Sequence, residues 1–181
     1  MVPETRHIIG EYLESLVFSI GEVLAQSNKI RKVAEVIKKS NLVLTMGNGG
    51  SSSTAQHFAQ GLCNAGIRTI CLTDNTSLLT AISNDKDYKE SLGQQVVLFA
   101  QNRKRVTIVA ISASGDSPNI LEAVTVANAV EARTIGLIGF EGGNLKDIAK
   151  LSIVLSSKDY GVVEDAHLTI CHIVERLVKS G

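Results

Sequence analysis

The stretch Leu42–Ser53 has the sequence LVLTMGNGGSSS, in which a short apolar run ends abruptly in a loop of glycine, asparagine and serine. Such a run is typical of a buried strand, and the residues that follow, Thr54–Asn64, have a helical pattern. Similar β-branched runs recur along the chain, with helical patterns between them. Continuous apolar strands that alternate with helices indicate a parallel sheet covered on both faces. The later runs are Thr69–Leu72, Val106–Ile111, Thr134–Ile138 and Ser152–Leu155.

The five predicted strands indicate an α/β fold. We expect a three-layer α/β/α sandwich with a five-stranded parallel sheet of the flavodoxin-like kind, in which ligands bind beyond the carboxyl ends of the strands. Residues 1–40 precede the sheet and have the apolar spacing of two amphipathic helices. We predict a single domain over residues 1–181, with the sandwich at 41–181. The wide apolar stripe of the first helix allows two interpretations, namely packing within the subunit or an oligomer interface.

The composition excludes several classes of protein. The chain has 181 residues with 18 basic and 18 acidic side chains, which argues against a basic nucleic-acid-binding domain. Hydrophobic residues make up 44%, too many for a disordered chain, yet no run approaches the ~18 apolar residues of a membrane span. The N-terminus lacks the pattern of a signal peptide, and three cysteines without CxxC spacing suit a reducing compartment. We expect a cytoplasmic protein with no membrane and no direct nucleic-acid partner.

Two loops have the composition of an anion-binding site. The first, Gly47–Ser53, contains glycines that let backbone N–H groups converge, and it leads into a helix whose N-terminus favours negative charge. A plain turn with a serine cap would need only one or two of these residues. The second loop, Ser112–Pro118, also places hydroxyl groups at the start of a helix. Because the carboxyl ends of parallel strands meet at one edge, we expect the two loops to hold a phosphate together.

Four segments carry a resemblance to a known family. They are GNGGSSSTAQHFA at 47–59, LTAISNDKDY at 79–88, ISASGDSPNI at 111–120 and EDAHLTICHIVERL at 164–177. In this order they resemble the sugar isomerase (SIS) family, and most closely its phosphoheptose isomerase branch. The resemblance implies a phosphosugar isomerase that interconverts a ketose phosphate and an aldose phosphate through an enediol. It also implies a homotetramer with active sites between subunits, in which the N-terminal helical segment 1–40 takes part in oligomerisation.

The resemblance assigns substrate-binding roles to residues of the two loops and of the segment between them. The phosphate would be held by the serines of the second loop, and the sugar by residues of the first loop, with an aspartate of the SNDKDY segment nearby. The residues implied are Ser112, Ser114 and Ser117 for the phosphate, and Asn48, Gly49, Ser51 and Asp85 for the sugar.

The catalytic pair implied by the resemblance is Glu164 and His172. Helical phase places Glu164 about 80° from His172 and Asp165 about 20° from it, so periodicity leaves both carboxylates open while the resemblance favours Glu164. Some family members bind zinc at the matching positions, and here His57, Glu164 and His172 form a possible zinc set. One catalytic position differs from the family pattern, because Gly61 stands where the family has a glutamate.

The glycine at position 61 motivates an alternative function. A non-catalytic SIS-domain protein that binds sugar phosphates, or that acts as a scaffold in the manner of a replication-initiation regulator, would not need the glutamate. Dinucleotide binding ranks lower, because GNGGSS lacks the third glycine of the fingerprint. A further departure is Asp116, whose carboxylate would repel a phosphate dianion unless it points away or caps a helix. His167 is expected to be exposed or structural.

Overall fold

The computed structural model describes residues 3–180 and has a single five-stranded sheet in that range. All neighbouring strands pair in parallel, in the order β2-β1-β3-β4-β5. This order is the flavodoxin-like one, so the predicted fold class is confirmed. The strands are β1 (Leu42–Met46), β2 (Thr69–Cys71), β3 (Val106–Ser112), β4 (Arg133–Ile138) and β5 (Leu151–Val154).

Helices cover both faces of the sheet. One core packs α2, α3 and α8 against the sheet through side chains such as Val43, and the other packs α5 and α6 through side chains such as Leu44. Adjacent residues of β1 thus enter opposite cores, as the alternation of side chains along a strand requires. The helices are α1 (Pro3–Ala25), α2 (Ser27–Lys38), α3 (Gly49–Asn64), α4 (Thr76–Asp85), α5 (Ser91–Ala100), α6 (Pro118–Ala129), α7 (Leu145–Ile148) and α8 (Tyr160–Lys179).

The strand order places the two polar loops side by side. Strands β1 and β3 are hydrogen-bonded neighbours, with Met46 opposite Ala110 near their carboxyl ends. The chain leaves β1 toward β2 on one side and β3 toward β4 on the other, so the switch point of the fold lies between them. The loops that follow β1 and β3 therefore open into the same crevice.

The first helix lies outside the three layers and packs on α8. Tyr12 donates a hydrogen bond to Asp165 Oδ2 at 2.7 Å, and the Gln26 side chain that follows α1 donates to the Val154 carbonyl at 2.8 Å. Much of the apolar surface of α1 remains exposed, and no helix within residues 3–180 is long and apolar enough to cross a membrane. The exposed apolar side chains of α1 are Ile8, Ile9, Leu13, Val17, Phe18, Ile20 and Leu24.

Candidate active site

A polar cavity of about 220 Å³ lies at the carboxyl ends of β1 and β3. It is formed by the two loops and by the first turns of α8. The structure thus brings together all the predicted substrate-binding residues except Asp85, and it adds Glu164 to them. The lining residues are Asn48, Gly49, Gly50, Ser51, Ser112, Ala113, Ser114, Ser117, Tyr160 and Glu164.

The first loop turns directly into α3. Gly49 has a φ of +53°, a left-handed conformation that suits glycine, and α3 begins at this residue. Asn48 precedes the helix in an extended conformation. The unpaired N–H groups of the first turn of α3 therefore border the cavity, and the helix dipole favours an anion there.

Serine hydroxyls of the second loop are oriented by the backbone. Ser112 Oγ accepts a hydrogen bond from the Gly115 N–H at 3.1 Å, and Ser114 Oγ accepts one from the Asp116 N–H at 3.2 Å. Because both oxygens act as acceptors, their hydroxyl protons are available to donate to a ligand. Ser117 occupies the N-cap of α6 but makes no side-chain capping bond, so its hydroxyl is also available. The geometry suits a phosphate held without lysine or arginine.

Asp116 points away from the cavity. Its Oδ1 accepts hydrogen bonds from the backbone N–H and from the side-chain amide of Asn144, both at 2.8 Å. The carboxylate thus ties the second loop to the segment before α7. It does not line the cavity, so the repulsion of a phosphate that its position in the sequence suggested does not arise.

Asn48 is held by a side-chain network behind the cavity. Asn48 and Asn119 exchange two amide hydrogen bonds of 2.9 Å, and the Tyr88 hydroxyl donates to Asn48 Oδ1 at 2.9 Å. Asn119 is buried, so its partners fix its position. The sequence alone does not indicate Asn119 and Tyr88 as partners of Asn48, because contacts across 71 and 40 residues leave no local signal.

The structure distinguishes the two adjacent carboxylates of α8. Glu164 lines the cavity and packs so closely on Gly50 that a Cβ atom added there would fall 2.0 Å from Glu164 Oε2. Asp165 instead accepts the hydrogen bond of Tyr12, which raises the pKa of the Tyr12 phenol to about 12. Glu164 therefore faces the predicted ligand site, and Asp165 faces α1.

His57 and His172 contact each other across α3 and α8. Their Nε2 atoms are 3.0 Å apart, and the rings meet edge to face with their centroids 5.2 Å apart. Both residues are exposed and neither lines the cavity. Along the helices they lie seven residues from Gly50 and eight from Glu164, a separation of about 10–12 Å. The histidine pair is thus a second polar contact between α3 and α8, separate from the contact of Glu164 with Gly50 at the cavity.

The predicted zinc set is only partly assembled. His57 and His172 are close enough to share a metal ion, since tetrahedral coordination separates two nitrogen ligands by roughly 3.3 Å. Glu164 lies at the cavity, and within residues 3–180 there is no group of three or more His, Cys, Asp or Glu side chains arranged to hold a metal. These residues offer a two-nitrogen pair rather than a complete metal site.

Asp85 lies away from the cavity. It is the last residue of α4, it is exposed, and it borders a different cavity of about 590 Å³ together with Lys86 and Gln94. Although this second cavity is larger, it contains none of the loop serines. The substrate-binding role implied for Asp85 stays a prediction.

The fold and the cavity together define a class of protein. A family model described as the SIS domain matches residues 11–139. The chain is 38% identical to a phosphoheptose isomerase of Geobacter metallireducens over 80% of this chain and 79% of that protein. A solved phosphoheptose isomerase from Francisella tularensis superimposes with a TM-score of 0.91 at 27% identity, covering 100% of both chains. A second, GmhA from Neisseria gonorrhoeae, superimposes with a TM-score of 0.91 at 26% identity, over 98% of this chain and 99% of that one. The chain belongs to the phosphoheptose isomerase family of SIS-domain proteins.

Proposed function

We propose that this chain is a phosphosugar isomerase that interconverts a ketose phosphate and an aldose phosphate, with a phosphoheptose as the first substrate to test. The observation that carries the proposal is the cavity in which the two serine loops, the N-terminus of α3 and Glu164 meet. Relatives named phosphoheptose isomerase match the chain over most of its length, which supports the same reaction. The non-catalytic alternative is not favoured by these relatives.

The phosphate would bind between the two loops. Ser112, Ser114 and Ser117 would donate their hydroxyl protons to phosphate oxygens, and the N–H groups at the start of α3 would add further donors. Asn48, fixed by its amide network, would orient the sugar chain leaving the phosphate. This arrangement binds a dianion through neutral donors, which is compatible with a protein of zero net charge.

Isomerisation requires one base and one acid at neighbouring atoms. A base removes the proton from C1 of the ketose while the carbonyl oxygen at C2 is protonated, which gives an enediol. Return of a proton to C2 and loss of the proton from the C1 hydroxyl then yield the aldose. Glu164 would serve as one partner, because its carboxylate faces the cavity. His172 would serve as the other; because it lies about 12 Å along α8 from Glu164 within one subunit, it would have to come from a neighbouring subunit.

The position of the His57–His172 pair supports an active site shared between subunits. The pair is exposed beside the cavity, so in one subunit water has free access to it. The exposed apolar side chains of α1 and an apolar groove of about 610 Å³ between α1, α2 and α8 offer surfaces for other copies of the chain. We therefore propose a homotetramer, with residues 1–40 used in assembly and a single domain whose sandwich spans 41–181. Sedimentation of Leu24→Glu should show smaller species than the parent chain.

A zinc ion is a separate proposal with its own test. His57 and His172 would supply two nitrogen ligands, and the third would have to be Glu164 of another subunit, because within one subunit Glu164 lies about 12 Å along α8 from His172. Bound zinc would act as a Lewis acid on the sugar oxygens. Metal analysis of the purified protein and of the His57→Asn variant tests this. Stoichiometric zinc in the parent chain and its loss in the variant are expected, whereas metal-free active protein would refute the proposal.

A cytoplasmic location is also proposed. Cys63, Cys71 and Cys171 are all free thiols in the structure, and unpaired cysteines suit a reducing compartment. Cell fractionation with detection of the native protein tests the location, and recovery from a membrane or extracellular fraction would contradict it.

The catalytic assignment is tested with three matched substitutions. Glu164→Gln and His172→Asn should each lower kcat by about 100-fold or more, because each removes one acid/base group while keeping its shape. Asp165→Asn is the control, since it makes the same change one residue from Glu164 on the side facing Tyr12, and it should retain most activity. If both test variants keep full activity, the proposed pair is wrong. Binding of sugar phosphates without turnover by the parent chain would support the non-catalytic alternative.

A further inference from the structure

The carboxyl group of Glu175 on α8 lies directly against the backbone of Gly61 on α3. A Cβ atom added to Gly61 would fall 2.1 Å from both Cδ and Oε1 of Glu175, far inside van der Waals contact. Gly61 is itself buried within α3, so the carboxyl group occupies the space that any larger residue would fill. The two residues form one packed unit between the helices, the Gly61–Glu175 contact.

This contact lies one turn beyond the histidine pair on both helices. Gly61 follows His57 by four residues, and Glu175 follows His172 by three. These are the spacings that place side chains on the same face of a helix. The imidazole contact and the carboxyl contact are therefore successive contacts between the same faces of α3 and α8.

The carboxyl group of Glu175 is poorly satisfied where it lies. The residue is only 9% exposed, and Oε1 is buried without a hydrogen-bond partner among the described residues. An unpaired buried carboxylate destabilises a fold, and an apolar side chain of similar size would pack there at lower cost. Burial, and to a lesser extent the charge of Glu175, raise the pKa of the neighbouring Cys171 thiol. Packing alone gives no reason for a glutamate at this position.

We propose that Glu175 is a positioning residue for the His57–His172 pair, with Gly61 providing the space for its carboxyl group. The imidazole rings offer N–H donors one turn away, and Oε1 is an unpaired acceptor on the same face. The proposal rests on the isomerase function proposed above, in which His172 moves a proton. It also accounts for the glycine at position 61. The carboxyl group at the Gly61–Glu175 contact comes from Glu175 on α8, so a glutamate on α3 is not needed there.

Two single substitutions test the proposal, one by changing the charge of the carboxyl group and the other by changing its position. Glu175→Gln removes the charge and keeps the shape, while Gly61→Ala keeps the charge and displaces it, since the new methyl group would overlap the carboxyl group. Each should lower kcat about 100-fold through misplacement of the histidines, with KM changed less than about threefold. Gly93→Ala is the matched control for the second change, because Gly93 is also a buried helical glycine and its added Cβ would come no closer than 3.4 Å to another atom. Asp165→Asn is the control for the first.

A double substitution separates positioning from folding. Gly61→Glu combined with Glu175→Gly exchanges the two residues between α3 and α8. The contact between the helices then again contains one carboxyl group and one glycine. Recovery of kcat to at least one tenth of the parent value is expected. If the single variants fail to fold, this variant decides, because a folded exchange variant without turnover overturns the proposal. Unchanged kcat in folded Glu175→Gln also overturns it.

A measurement without substrate separates this proposal from the proposed function. Long-range ¹H–¹⁵N NMR spectra of the histidine rings should show shifted His57 and His172 signals in Glu175→Gln and unshifted ones in Asp165→Asn. If the parent chain converts no sugar phosphate, the isomerase proposal fails, and the ring signals still report whether Glu175 acts on the pair. Identical spectra of the parent chain and Glu175→Gln contradict the positioning role.

Discussion

The stability of this protein should fall in mild acid because of one buried histidine. His167 on α8 is fully buried, and neither ring nitrogen has a hydrogen-bond partner in suitable geometry. Burial lowers the pKa of His167 to about 4, opposed only by the nearby backbone of Ile138, whose geometry falls short of a hydrogen bond. The unfolded chain binds the proton with a pKa of about 6.5, so below that pH the unfolded state takes up more protons than the native state.

The size of the effect follows from the two pKa values. The contribution of His167 to stability is complete above about pH 6.5 and decreases as the pH falls toward 4. Through His167 alone, the native state should lose about 2 kcal/mol between pH 7 and pH 5, and about 3 kcal/mol by pH 4. Below the native pKa both states are protonated, and the loss from this residue levels off.

Urea unfolding at fixed protein concentration, repeated from pH 7 to pH 4, measures this loss. The His167→Leu variant cannot be protonated at this position and should lose about 2 kcal/mol less than the parent chain between pH 7 and pH 5. His167→Gln serves the same purpose if the leucine variant does not fold. His7→Gln, at an exposed histidine of α1, should leave the pH dependence unchanged. Equal losses in the parent chain and in both His167 variants would show that protonation of His167 does not cause the acid destabilisation.

Three further predictions concern the cavity and the contact between α1 and α8. Ser114→Ala removes one hydroxyl donor and should raise KM for the sugar phosphate about tenfold in steady-state assays, with kcat little changed; an unchanged KM would remove Ser114 from the phosphate site. Gly50→Ala places a methyl group in the space of the Glu164 carboxyl group and should lower kcat about 100-fold, whereas normal kcat would show that Glu164 can move without consequence. Tyr12→Phe should destabilise the fold by about 0.5–1 kcal/mol in urea unfolding. Adding Asp165→Asn to Tyr12→Phe should lower the free energy of unfolding little further, because the two residues share one hydrogen bond. If the losses of the two single variants add up in the double variant, the hydrogen bond does not stabilise the fold.

The sequence predicted the sheet and the two loops because the signals for both are local. A buried strand followed by Gly47–Ser53 can be recognised from adjacent residues, and so can the helix start at Pro118. Parallel pairing then brings the loops together without further information, since carboxyl ends meet at one edge. The cavity that contains Ser112 and Ser114 was predictable for this reason.

The remaining features depend on contacts between distant segments. Helical phase could not choose between Glu164 and Asp165, because the choice depends on Tyr12, which lies 153 residues before Asp165 in the chain. Similarly, the glycine at 61 could be seen in the sequence, but the carboxyl group of Glu175 against it requires the packing of α3 on α8. Such contacts are properties of the packed helices and leave no pattern in either segment alone.

The most direct test of the isomerase proposal is conversion of a ketose phosphate in D₂O, followed by NMR. With sedoheptulose 7-phosphate as the first substrate, we expect a new aldose phosphate that carries deuterium at C2, because the proton on that carbon comes from an exchangeable acid. The signal should be lost in Glu164→Gln and retained in Asp165→Asn. Binding of the sugar phosphate without any conversion would show that the protein is not an isomerase of this substrate, and full conversion by Glu164→Gln would show that Glu164 is not an acid/base group.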